Sequence, residues 1–73
     1  MPAPVAALIE RMVQCQHWAG EEPYDKARRA EIARAVRRLR CESIEQDERR
    51  LLKAHASNPE VRQRLEAARS GDW

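Results

Sequence analysis

Residues 36–48, VRRLRCESIEQDE, decide the fold, because they determine whether residues 25–56 form one helix or two. Continued as a single helix at about 100° per residue, Ile44 and Leu51 land roughly 100–120° from Ile32, on the side that carries the Arg residues. The apolar seam then jumps. A break at Cys41-Glu42-Ser43 removes the conflict. Ser43 can cap a new helix with Gln46 three residues later. Glu45, Asp47 and Glu48 suit that helix's positive end, while Arg37, Arg38 and Arg40 suit the negative end of the helix before. One long helix with two apolar faces is the rival. It has Glu45 and Arg49 at the favourable i to i+4 spacing, and no Gly or Pro interrupts the junction. The pattern favours the break, predicting helices over 25–41 and 44–56.

Upstream, the helix 25–41 starts near Tyr24 or Asp25 and gathers Tyr24, Ile32, Ala35, Val36 and Leu39 within about 120° of arc. Lys26, Arg29, Arg34, Arg37, Arg38 and Arg40 occupy much of the remainder. Between Lys26 and Arg40 there are seven basic residues and one acid, Glu31. Before it, Gly20-Glu21-Glu22-Pro23 is a turn signal, with Gly20 placed to cap a first helix over 4–19. Pro4 suits that helix's first turn. Its apolar residues, among them Leu8, Ile9, Met12, Val13 and Trp18, cover well over half the circumference and leave Glu10, Gln14 and His17 as a polar strip. A helix so apolar must be covered on two sides. It is therefore the candidate dimer seam or partner-binding face.

Downstream, the helix 44–56 is expected to bury Ile44, Leu51, Leu52 and His55. Ser57-Asn58-Pro59-Glu60 repeats the grammar of a helix start. A last helix over 59–69 carries Val61, Leu65 and Ala68 on one face. It leaves a tail, 70–73, whose Trp73 is an anchor for a partner or an idle end. Trp18 and Tyr24, flanking the first turn, are expected to staple the first two helices together.

Composition agrees with a single small all-α domain, a bundle or hairpin of three to four short helices completed by self-association. Of 73 residues only 17 are large apolar or aromatic side chains once Ala and Cys are set aside. That is a thin core for a chain of this size. Two Gly and no Thr or Phe argue against a phosphate loop or a β-sandwich. The net charge of +2 is modest, and the basic residues are twelve Arg and two Lys, a bias that high-GC coding produces without selection. Two cysteines, Cys15 and Cys41, are too few for a disulfide-dense scaffold, so free thiols and a cytoplasmic address are expected. The opening MPAPVAALIERM has no basic leader region and its apolar run stops at Glu10 and Arg11. No stretch reaches the roughly 20 apolar residues of a membrane span.

No constellation carries chemistry. Cys15 and His17 diverge by about 160° on a helix, and neither a C-x₂₋₄-C nor an H-x₃₋₅-H pair exists, so no metal is expected. A Cys–His nucleophile pair would need a cleft, an oxyanion donor and an orienting group that a few short helices rarely supply. Glu21-Glu22 and the Glu45/Asp47/Glu48 group read as a turn and a helix N-terminus. The chain is expected to be no enzyme, with no cofactor and no small-molecule substrate.

What remains is surface. The sequence suggests a non-enzymatic interaction protein that binds and modulates a partner protein. Its apolar face would be Leu8, Ile9, Met12, Val13 and Trp18, and its basic face Arg29, Arg34, Arg37, Arg38 and Arg40. Small Arg/Ala-rich chains of this kind are often phage- or plasmid-borne modulators of host machinery. The alternative is a small dimeric nucleic-acid-binding regulator using the Arg-rich helix 26–40. Against base reading by residues 44–56 stand the acids Glu45, Asp47 and Glu48, which would face the DNA backbone. No aromatic interleaves with the Arg run to stack on single-stranded bases.

Overall fold

A computed structural model describes residues 1–71; Asp72 and Trp73, and with them the expectation of an anchor at Trp73, lie outside the described residues. The described chain is all-helical. Its elements are α1 (Ala3–Ala19), α2 (Lys26–Arg38), a 3-10 turn (Cys41–Ser43), α3 (Ile44–Ala54) and α4 (Pro59–Arg69). Local chemistry sets most boundaries. Asp25 caps α2 by accepting the Arg28 N–H at 2.7 Å. The Asn58 side chain accepts from the N–H groups of Glu60 and Val61, with Pro59 in the first turn of α4. Gly20 ends α1 in the right-handed region, φ −87°, so glycine's extra freedom is not used there.

The break falls where the jumping seam requires it, by a different device from the expected cap. Arg40 adopts the left-handed conformation, φ 52° and ψ 51°, which turns the chain out of α2. Ser43 caps nothing. Its hydroxyl donates to the Arg40 carbonyl at 3.0 Å instead of accepting from the first turn of α3. α2 also stops at Arg38, short of the expected residue 41, and α3 stops at Ala54.

α1 is the central helix. Val5, Leu8 and Met12 on one of its faces join Val61, Leu65 and Ala68 of α4 in the core, and Ile9, Ile44, Leu51 and Leu52 pack against that cluster. α3 runs antiparallel to α1, and α4 runs parallel to it. The latter direction shows in the Gln16 amide, which donates to the Ala68 carbonyl at 2.7 Å and satisfies a carbonyl at the α4 C-terminus. α2 lies on another side of α1. It approaches α1 and the 3-10 turn but neither α3 nor α4. Only Ala35 of α2 is buried. The expectation that α1 needs cover on two sides is thus met within the chain, and the described molecule is elongated, 46 × 20 × 16 Å.

Three expectations need correction. Cys15 and Cys41 are not free thiols; they form a disulfide that joins α1 to the 3-10 turn, Cα–Cα 5.8 Å. That removes the free-thiol ground for a cytoplasmic address. Tyr24 is 77% exposed and staples nothing, because the turn carries it away from α1. The most buried residue of α3 is not among Ile44, Leu51 and Leu52 but is Glu48, which Arg69 of α4 meets with a salt bridge.

Candidate binding surface

At the tip of the hairpin, Arg28 faces inward. Its guanidinium lies 5.3 Å over the Trp18 ring and pairs with Glu21 at 3.0 Å and with Glu31. The hydrogen bond to Glu31, first among the causes, holds this guanidinium further above its already high ordinary value. Glu31, the one acid of α2, pairs with Arg28 and with none of the outward-facing Arg residues. At the base, Arg11 gathers three segments. Its Nε donates to the Leu39 carbonyl at 2.9 Å, an acceptor that the end of α2 leaves open, and its Nη2 to the Arg40 carbonyl at 3.0 Å, which Ser43 also reaches. Its Nη1 pairs with Asp47 of α3 at 3.0 Å. The Arg11 hydrogen bond is the chief cause that holds the Asp47 carboxyl below its usual 3.8.

Between tip and base, the outward half of α2 carries four of the predicted basic residues, and Arg40 follows just past its end. Arg29, Arg34, Arg37, Arg38 and Arg40 are all exposed. None of them forms an ion pair among the described residues. Arg29, Arg37, Arg34 and Arg38 fan over about half the helix circumference, opposite Ile32, Ala35 and Leu39, along about 13 Å of axis. The structure therefore brings Arg29, Arg34, Arg37 and Arg38 together on one open helix face, while Arg40 sits in the turn beyond it.

The apolar set does not form an open face. Leu8 and Met12 are 2% and 3% exposed and belong to the chain's own core, so neither is presented to a partner. Ile9 packs half-buried against that core, Val13 is half-buried, and Trp18 lies beneath Arg28. Where α3 and the C-terminal end of α4 diverge, a cleft of about 670 Å³ opens instead. Met12, Cys15, Cys41, Ile44 and Leu52 are among its apolar lining, with charged Glu45, Glu48, Arg49 and Arg69 beside them.

Among the described residues no group of three or more His, Cys, Asp or Glu is placed to hold a metal ion, and no helix is long and apolar enough to cross a membrane. The chain matches no protein-family model, no curated protein and no solved structure.

Sequence reasoning missed Arg11, the Glu48–Arg69 pair and the disulfide. Arg11 alone left a trace, as the one strong cation on the otherwise apolar flank of α1 near Trp18. The other two join positions 21 and 26 residues apart and had no local signature.

Proposed function

We propose that the protein is a non-enzymatic binding module whose working surface is the Arg face of α2. It docks on an acidic surface of a partner protein and modulates that partner. One observation supports the reading above others: four exposed Arg side chains without internal counter-ions stand on a helix that touches neither α3 nor α4, with a fifth, Arg40, just past its end. Planar guanidinium groups match carboxylates with paired hydrogen bonds and are enriched at the energetic centres of interfaces. The helix that presents the face is held at its base by Arg11 and at its tip by Arg28.

A nucleic-acid ligand is the second reading, favoured by the same unscreened charge. The flank of the face weighs against it. Glu42 is exposed and Glu45 is 85% exposed just beyond Arg40, where a continuous phosphate backbone leaving the C-terminal end of α2 would meet them. A local acidic patch on a protein need not extend so far.

The test is capture from a bacterial lysate with the wild-type chain and with R34E/R37E/R38E, each split into nuclease-treated and untreated halves. A stoichiometric protein kept by the wild type after nuclease and lost by the triple variant supports the reading. Recovery of nucleic acid, with any protein lost on digestion, selects the second reading. Equal capture by both chains removes the Arg face from the function.

A further inference from the structure

We propose that the Cys15–Cys41 disulfide is a redox latch on α2: reduction releases the helix and its Arg face while the α1/α3/α4 body stays folded. The consequence for binding rests on the Arg-face reading; the release does not.

The inference comes from where the bond sits. It closes residues 15–41 into a loop that contains the whole of α2. The core cluster and the residues packed on it come only from α1, α3 and α4, and none lies between positions 15 and 41. Opening the bond therefore removes no side chain from the core. It does remove the covalent tie at the C-terminal base of α2, immediately after left-handed Arg40. Arg11 then holds that base through the Leu39 and Arg40 carbonyls, and the Arg28–Trp18 stack holds the tip. Between them α2 has one fully buried residue, Ala35. Segments with few buried apolar contacts are the ones that open below the global unfolding free energy.

The bond is also reachable. Both cysteines are half-buried and line the open cleft between α3 and α4. A reductant of the dithiol class can attack there. Its thiolate bonds to one Sγ and breaks the Sγ–Sγ bond, and the departing cysteine takes up a proton. The reductant's second thiol then displaces the mixed disulfide. Two electrons and two protons pass to Cys15 and Cys41, and the reductant leaves as its own disulfide.

Amide hydrogen exchange on the full chain, oxidised and then treated with dithiothreitol, tests the latch. The quantity is the protection of residues 26–38 relative to that of the α1 and α4 core positions. Reduction is expected to lower this ratio by on the order of ten-fold or more, with α1, α3 and α4 still helical. The C15S/C41S chain, without reductant, is expected to show the same ratio. An unchanged ratio, or a reduced chain that unfolds as a whole, overturns the latch.

Affinity for a poly-glutamate peptide at low salt provides the second readout, expected to fall about ten-fold on reduction as preorganisation is lost. Equal affinity of both forms overturns the coupling to binding. Failure of both forms to bind, with the ratio still falling, leaves the latch standing and rejects the Arg-face reading.

Discussion

The α1/α3/α4 body and the α2 arm share one helix, α1, yet they are held by different kinds of force. The body depends on burial: six core side chains, five of them 2% exposed or less, with four half-buried neighbours against them. The arm depends on discrete bonds: a disulfide, the Arg11 clamp, and Arg28 between Trp18 and two carboxylates. Burial is non-directional and shared, so it fails collectively. Discrete bonds fail singly, and each answers to its own reagent: a reductant, acid, or one substitution. A 73-residue chain with a thin core thus spends its apolar surface on three helices and ties the fourth on with specific contacts.

The largest expected effect separates the two regions. Met12→Asp places an unpaired carboxylate in the core at a site 3% exposed, and a loss of about 4 kcal/mol or more should unfold the body. Ile32→Asp, on the half-buried side of the arm, should leave most helicity intact. Circular dichroism decides between them; a helical Met12→Asp chain would break the distinction.

Next in size is the clamp. Arg11→Met strands the Leu39 carbonyl, leaves the Arg40 carbonyl with Ser43 and leaves Asp47 with Arg50 and the Ser43 hydroxyl, at a cost of about 2 kcal/mol in unfolding free energy, read from denaturant melts. Its pH signature follows from Asp47. The folded chain holds this carboxyl below its usual 3.8, chiefly through the Arg11 hydrogen bond, so the folded state binds its proton less readily than the unfolded chain does. The stabilisation is fully present above that usual value and is lost as pH falls through the lower folded one. Wild type should therefore lose more stability than Arg11→Met between about pH 4 and pH 2, measured as denaturant midpoint against pH. Parallel curves would show that the clamp contributes no Asp47 coupling.

The smallest effect sharpens the comparison at the joint itself. Arg40→Gly relieves a left-handed residue and should raise stability by about 0.5–1 kcal/mol, read as a melting temperature higher by a few degrees. A lower melting temperature would mean that the Arg40 side chain, and not only its carbonyl, helps hold the arm.

Most of this fold was legible in the chain because helices announce themselves locally. Asp25, Asn58 and Pro59 mark starts through chemistry within a few residues, and the seam conflict at Ile44 located the break to within the 3-10 turn. The means of the break was not legible. Ser43 looked like a cap, but Arg11, 32 residues away, reaches the junction and satisfies it from outside. Glu48 looked like an acid placed for a helix dipole and is instead buried, because α4 returns Arg69 to it. The basic face was readable since exposure needs no partner. Within the apolar set of α1, Leu8 and Met12 were misjudged, because periodicity shows that a side chain will be covered and not by what. Leu8 and Met12 are covered by the chain's own fourth helix, without any second molecule.

The Cα atoms of Cys15 and Cys41 lie 5.8 Å apart, so the chain beyond the end of α1 leaves the body and returns to it at nearly one point. That makes the hairpin a cassette. Two helical turns added to each of its limbs at the Gly20–Asp25 bend would carry the tip about 10 Å further out while the attachment stays unchanged. The closure entropy of the longer loop grows only slowly with length. The reach of the charged face and the stability of the body are therefore separate design variables, and a chain of this plan can be refitted for a longer target without re-solving its core.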